Sequence, residues 1–337
     1  MRLDFFTTNP DDSKGSYRIW IKDVSRTLNE IGHTSKILTA GDKVSDCEEV
    51  ETIILGKSCY SEIDQIKNIY KKSKIGVINI PCDYYNENID FVIVGSPEEY
   101  TSMSKYKNVF IYPLIERKFE NIEIKNHTNS GIMKFCFHGH WPHLAKFVPN
   151  LSAALDKYND EVMKSELHII TGESDDYCSH PLLPKNVKII SHNYKEIDFT
   201  SVVKDCDIGI VPNITDLPFH VQGLRDSESP AYGMYKTDYS IRFKNKTNGG
   251  RAYVFYQHGI PVIHDLSPSS FDFMGRTGEY ICGHDTDSYF REMVKLTNPD
   301  TRNRISKVNK DIFERDFNAV NYCQKLVEFI DNEVTNE

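Results

Sequence analysis

The sequence predicts an α/β chain folded as two doubly wound domains, each a parallel sheet flanked by helices. Three observations carry this. Short apolar runs alternate with helical periodicity through nearly all of the 337 residues. The runs are continuous rather than alternately apolar and polar, the mark of strands buried on both faces. A polar stretch without clear periodicity, Glu116–Ser130, separates one such series from a second, and the length suits two cores of ordinary size.

In the first series, Leu3–Phe6 reads as a strand, followed by a polar loop from Thr7 to Gly15. Tyr17, Trp20, Ile21, Val24, Leu28 and Ile31 then mark one face of a helix that Gly32 ends. Ser35–Leu38, Thr52–Leu55, Ile75–Ile80, Phe91–Val94 and Val109–Tyr112 read as strands, with a helix marked by Ile63, Ile66 and Tyr70. In the second series the strands are Lys134–Phe137, Leu167–Thr171, Val187–Ile190, Ile208–Val211 and Pro261–His264. Leu151, Ala154, Leu155 and Tyr158 mark a helix between them, and Phe313 to Ile330 reads as one broken helix or two. Asn213–Asp238, with two prolines and two glycines, is long for a connection, and such loops are more often functional than idle.

The formal charge of −9 argues against general affinity for nucleic acid. Eight scattered cysteines with no Cys-x-x-Cys pair read as reduced, buried residues of a cytoplasmic protein. No run is apolar enough to span a bilayer, and no signal peptide opens the chain.

The chemistry concentrates where helices start. Lys244, Lys246, Asn248, Gly249 and Arg251 precede an amphipathic helix, a Gly259 stop and the buried strand Pro261–His264. Helix N-termini offer unpaired N–H groups and partial positive charge, and neighbouring cations add charge-assisted contacts, so the stretch reads as a site for a nucleotide diphosphate. The plainer reading is a solvated helix start. Gly15 and Ser16 open the first helix beyond a strand's carboxyl end, where α/β domains bind ligands. Gly15 admits close approach of a ligand to the backbone; the alternative is an ordinary turn with Ser16 as cap. His138, His140 and His143 lie within six residues but lack companion cysteines or carboxylates in zinc spacing. The preferred reading presents Gly139 and one histidine to a ligand, with Lys146 nearby for phosphate. Asp83, beyond the strand Ile75–Ile80, is either a catalytic or acceptor-binding carboxylate or a loop residue in an Asx-turn. Lys67, Lys71, Lys72 and Lys74 form either a patch for an anionic membrane surface or a solvated helix face. Walker, Gly-x-Gly-x-x-Gly, Gly-x-Ser-x-Gly and acidic metal-binding sugar-nucleotide motifs are missing. Asp205-Cys206-Asp207 reads as a helix-to-strand turn.

These residues together resemble a GT-B glycosyltransferase of the retaining group-1 type that uses nucleotide sugars. Lys14-Gly15-Ser16 with the helix to Ile31-Gly32-His33 resembles the family's N-terminal glycine loop. His138-Gly139-His140 with Lys146 resembles its Gly-Arg…Lys element, with His140 in place of the arginine. Asp205–Pro212 and Arg251–Ile263 resemble its later strand and its helix–strand pair, and the final helices resemble the segment that crosses back to the first domain. Lys246 and Val254 stand where the family has two glutamates that contact donor sugar and ribose.

The resemblance implies two Rossmann-like domains facing a cleft: 1–125 on the acceptor side, 126–315 on the nucleotide-sugar side, and 316–337 packing back on the first. It implies sugar transfer to a hydroxyl of a glycan, lipid-linked or protein acceptor, in glycan or cell-surface polysaccharide assembly. The expected protein is cytoplasmic, with peripheral contact at the inner membrane face as a further expectation, and needs no metal or other cofactor. The candidate catalytic residues are Asp83 and His140. Gly15, Ser16, Gly139, Lys146 and the cluster from Lys244 to Arg251 would bind donor; Arg18, Arg225 and Tyr232 would meet the acceptor. Two alternatives stay open. A nucleotide-sugar epimerase of the same fold would need a pair of carboxylates for proton transfer at carbon, and none is evident. A non-catalytic glycan- or nucleotide-binding protein would account for the replaced glutamates, but not for the glycine loop and basic cluster.

Overall fold

The computed structural model describes residues 1–39, 50–140, 144, 148–172, 183–212 and 248–334. The chain divides into two compact units, Met1–Lys118 with Arg315–Glu337, and Phe119–Glu314.

The strands of the first unit are β1 (Leu3–Thr7), β2 (Ile37–Thr39), β3 (Thr52–Leu55), β4 (Lys74–Ile78), β5 (Phe91–Val94) and β6 (Val109–Ile111). They form one sheet in the order β2-β1-β3-β4-β5-β6, with every pairing parallel. Alternate side chains enter opposite cores. Leu3, Phe5, Ile54, Phe91 and Ile93 face one; Phe6, Ile53, Leu55, Val92 and Val94 face the other. Each such side chain contributes roughly 1.5–3 kcal/mol on burial.

The first helix starts at Gly15, widens into a π segment over Arg18–Asp23, and continues as Val24–Glu30. Ile19, Trp20, Ile21, Val24 and Leu28 are its buried face. Gly32 takes a φ of 93°. There the His33 amide donates to the Leu28 carbonyl (3.0 Å) and the Gly32 amide to Asn29 (3.3 Å), a Schellman ending. The helix Ala319–Asn332 belongs to this unit and places Cys323, Leu326 and Ile330 in the core that holds Trp20 and Leu28.

The second unit contains β7 (Met133–His138), β8 (Ser165–Thr171), β9 (Lys188–Asn193), β10 (Ile208–Val211), β11 (Val262–Asp265) and β12 (Cys282–Gly283). Their order is β12-β11-β10-β7-β8-β9, again parallel. Phe135, Phe137, Leu167, Ile169, Ile208 and Ile210 share one core with Leu151, Leu155, Tyr289 and Met293 from two helices. On the other face Gly209 makes room for the Phe255 ring, which a Cβ there would approach to 2.7 Å. That contact seats the helix Gly250–Gln257 against the sheet. The helix ends at Gly259, φ 71°, with the Ile260 amide on the Phe255 carbonyl (3.0 Å) and the Gly259 amide on Tyr256 (3.1 Å).

The stretch expected as a linker is bound to the second unit from Phe119 onward. The Lys125 amide donates to the His258 carbonyl (3.2 Å), and its Nζ to the Cys206 carbonyl (2.7 Å) and Asp207 (3.2 Å). His127 Nε2 donates to the Gly259 carbonyl at 2.9 Å. A Cβ on Gly259 would stand 2.6 Å from Ile124 Cβ, so this glycine is required by its φ and by the chain crossing it. Asp207 is buried beside this strap. Burial pushes its carboxyl up, but His127, Lys125 and the Lys134 amide outweigh that and leave it at about 2. Asp205-Cys206-Asp207 is thus the helix-to-strand turn, and its last residue anchors the strap.

Among the described residues the helices Pro97–Thr101, Pro268–Thr277 and Thr286–Lys295 have no counterpart in the sequence reading. Among the described residues no helix is long and apolar enough to cross a membrane. Of the basic patch, Lys67 Nζ donates to the Ser73 carbonyl (2.9 Å) and Lys74 Nζ to Ile330 (3.0 Å), so both ammonium groups are engaged within the first unit.

Candidate functional site

The carboxyl edge of the second sheet brings together the end of β7 and the start of the Gly250–Gln257 helix. β7 ends at His138, and Gly139 follows with φ 121°, its amide donating to the Ile170 carbonyl at 3.0 Å. A Cβ at Gly139 would stand 2.9 Å from Arg251 Cδ, so the arginine stem occupies the space a side chain would need. His138 Nε2 lies 2.9 Å from the Arg251 carbonyl; a carbonyl only accepts, so the imidazole donates through Nε2. The same ring meets Phe255 edge-on at 4.8 Å. Backbone geometry, one hydrogen bond and one aromatic contact therefore fix the helix start over the strand end.

Gly249 is the N-cap of that helix, and a Cβ on it would come within 2.5 Å of the Tyr253 ring. Asn248 Oδ1 accepts from the Gly250 amide at 3.3 Å. Arg251 stands in the first turn with its guanidinium carbon 5.7 Å from the Phe137 ring centroid. Desolvation lowers the guanidinium to about 10, against the opposing pull of Asp265. It therefore stays protonated at neutral pH, a poorly hydrated cation at a helix N-terminus. Such a group gains more from an anionic oxygen than a fully hydrated lysine would.

Asp265, buried at the end of β11, is a charged residue of this edge that the sequence reading missed. The apolar run ends at His264, one residue short of the strand's end. His264 is neutral down to about 3 because burial opposes its charged form. The Tyr256 hydroxyl hydrogen-bonds its Nε2, which ties the helix to β11.

The structure brings Gly139, His140, Asn248, Gly249 and Arg251 to one edge of one unit. His140 is exposed immediately beyond Gly139. Lys146, Arg225, Tyr232, Lys244 and Lys246, with the whole Asn213–Asp238 segment and His143, lie outside the described residues. Among those described, no group of three or more His, Cys, Asp or Glu could hold a metal ion.

In the first unit, Gly15 and Ser16 are the first helical residues beyond β1. The N-cap is Lys14, with no side-chain cap bond, which corrects the reading of Ser16 as cap. The chain turns two residues earlier than a Ser16 cap would place it, because the Arg18 amide already reaches the Lys14 carbonyl at 3.0 Å. Arg18 is held by Glu116 (Nε–Oε1 2.6 Å) and by the Asp12 carbonyl (2.7 Å), so it clamps the loop after β1. Asp83 is exposed in a turn closed by the Tyr84 amide on the Pro81 carbonyl at 3.0 Å. The backbone closes that turn, and among the described residues the Asp83 carboxylate makes no Asx-turn bond.

No family model matches the chain, and no curated protein matches its sequence. Solved structures match along its whole length. Sucrose-phosphate synthase from Thermosynechococcus elongatus is 10% identical with a TM-score of 0.64, covering 100% of both chains. A glycosyltransferase from Rickettsia africae is 12% identical with a TM-score of 0.63, covering 100% of this chain and 99% of its own. HepE from Anabaena, in complex with UDP and glucose, is 9% identical with a TM-score of 0.59, covering 98% and 99%. Identity this low speaks to architecture alone. Two doubly wound parallel sheets in one chain, matched end to end by these enzymes, make the fold GT-B.

Proposed function

We propose that this chain is a glycosyltransferase that moves a sugar from a nucleotide-sugar donor to a hydroxyl acceptor, in glycan or cell-surface polysaccharide assembly. The observation that carries the reading is Arg251: a protonated, poorly hydrated guanidinium at a helix N-terminus, laid across a glycine that leaves it room. That arrangement suits a diphosphate better than a neutral ligand. The neighbours lend support, since HepE was solved with UDP and glucose and an Escherichia coli trehalose-6-phosphate protein with UDP-2-fluoro glucose.

In the reaction the bond between the sugar's anomeric carbon and the diphosphate oxygen breaks, and the acceptor oxygen bonds to that carbon. The nucleoside diphosphate leaves with the electron pair, and the acceptor hydroxyl gives up its proton. Arg251 and the amides of the helix start stabilise charge growing on the leaving diphosphate, the effect that dominates such transfers. Asp83 and His140 are the candidate groups for the acceptor's proton, and Gly15 and Ser16 would let a ligand reach the backbone of the first helix. The reading has the anomeric configuration retained and no metal required, because cationic side chains supply the neutralisation.

The deciding measurement is a thermal-shift panel of nucleoside diphosphates and their sugars, followed by release of nucleoside diphosphate from whichever sugar nucleotide binds. Binding to the folded state alone raises apparent stability with the logarithm of ligand excess. A panel in which nothing shifts the melting temperature sinks the reading. Binding without release of nucleoside diphosphate, with acceptor hydroxyls supplied, leaves a binding protein instead.

A further inference from the structure

Thr171 closes β8 beside the arrangement of Gly139 and Arg251. The β7–β8 register sets His138 opposite Ile170, so Thr171 stands level with Gly139. Phe137 and Ile169 are cross-strand partners within one core, and Thr171 is the next residue of β8 on that face. The Arg251 guanidinium lies over that same Phe137 ring. Threonine and arginine therefore flank Gly139. The Thr171 carbonyl is engaged, accepting from the Tyr194 amide at 2.9 Å. Its hydroxyl differs: the residue is 3% exposed, and among the described residues Oγ1 has no hydrogen-bond partner. A buried hydroxyl without a partner is costly, and nearly all such groups in folded proteins find one. A valine would fill the same space without that cost. The observation calls for a partner that the described residues do not supply.

We infer that Thr171 is a donor-positioning residue, its hydroxyl donating to a phosphate oxygen of the nucleoside diphosphate that Arg251 holds. This rests on the reading of the chain as a nucleotide-sugar enzyme. The chemistry selects the phosphate. A guanidinium has donors only, and a hydroxyl at the same strand edge can add a second donor, so a ligand able to accept from both is an anionic oxygen with several lone pairs. The edge also suits an anion because the Gly250–Gln257 helix starts there.

The test uses the full chain and calorimetric titration with UDP, GDP, ADP and dTDP, and with the matching nucleosides. Thr171→Val removes the hydroxyl at constant shape, Thr171→Ser keeps it, and Thr171→Ala removes it a second way should the valine variant misfold. The tightest diphosphate should bind about tenfold more weakly to Thr171→Val and within about twofold of wild type to Thr171→Ser, the loss of one hydrogen bond to a charged group. The nucleoside alone should bind all variants equally, and the melting temperature of Thr171→Val should be no lower than wild type, because no internal bond is broken. Equal diphosphate affinity in wild type, valine and alanine variants overturns the inference while leaving the enzyme reading intact; so does a fall in melting temperature with affinity unchanged, which would mark a buried water as the partner. Wild-type protein that binds none of the diphosphates overturns both.

Discussion

Among the described residues, Gly15 opens a helix beyond β1 in the first unit, while in the second Gly139 follows the end of β7 and Gly249 caps the Gly250–Gln257 helix, and these positions differ in why glycine is there. In the second unit the fold demands it. Gly139 sits at φ 121° with the Arg251 stem 2.9 Å from where its Cβ would be, and Gly249 lies under the Tyr253 ring. In the first unit it does not. Gly15 is helical, and a Cβ there would meet only Ile19 Cδ1 at 3.8 Å, an ordinary contact. A glycine that packing explains says little about ligands by itself. A glycine that packing leaves unexplained is where a ligand argument gains force. The case for binding in the second unit therefore rests on Arg251 and the groups beside it.

The largest expected effect breaks the second site at its charge. Arg251→Ala should lower nucleoside-diphosphate release about 100-fold or more, the scale seen when a donor aimed at developing charge is removed. Arg251→Lys should recover part of it, since an ammonium keeps charge but not planar, two-point geometry. Steady-state rates with the best donor from the panel check this. A rate within threefold of wild type in Arg251→Ala would move the diphosphate elsewhere.

Next in size is Gly139→Ala, expected to cost about 2–3 kcal/mol from the positive φ and the collision with Arg251. Urea unfolding measures it. A cost below about 0.5 kcal/mol would mean that Arg251 yields easily, and the contrast between the two glycines would lose its basis.

Acid probes the same helix through His264. Its folded value of about 3 lies below the value near 6.5 of an unfolded histidine. Between those pH values the unfolded chain binds a proton that the folded chain refuses, so stability falls as pH drops below about 6.5. By pH 5 the loss should be about 2 kcal/mol, and it should shrink in His264→Gln, which cannot take the proton. Equal pH slopes from 6.5 to 5 in both proteins would remove His264 as the cause.

What the sequence shows of this fold follows from how local each signal is. Buried strands such as Thr52–Leu55 and Ile208–Val211 are legible because both faces are apolar, and the two glycine stops because a left-handed residue ends a periodic face. β12 has two residues, too few for any pattern. Pro97–Thr101 is one turn, too short for a periodic face, marked by Ser96 capping Glu99 at 3.2 Å, by Pro97 and by two glutamates in its first turn. Glu116–Ser130 reads as a linker because its composition is polar, whereas Lys125 and His127 within it bond carbonyls, Asp207 and Asn303, far away in sequence. Within the site, Gly139, Gly249 and Arg251 stand out as glycines beside charge. Asp265 and Thr171 do not, because a single polar residue closing a strand acquires meaning only from its neighbours across the sheet.

Gly15→Ala gives the smallest change in stability and the sharpest use of the comparison. Alanine at a helix start with room for its methyl should leave stability unchanged or raise it by less than about 1 kcal/mol, through helix propensity and a less flexible unfolded chain. Any fall in activity cannot then be blamed on the fold. If a ligand approaches the backbone at Gly15, the methyl group should raise KM for donor or acceptor several-fold while the urea midpoint holds or rises. Gly139→Ala should instead lose stability and activity together. Unchanged kinetics in Gly15→Ala would return the first helix start to an ordinary turn, leaving the ligand argument on Arg251 and the carboxyl edge of the second sheet. A loss of stability would show that the 3.8 Å contact with Ile19 is tighter in solution than its geometry implies, and the contrast between the two glycines would fail at its simpler end.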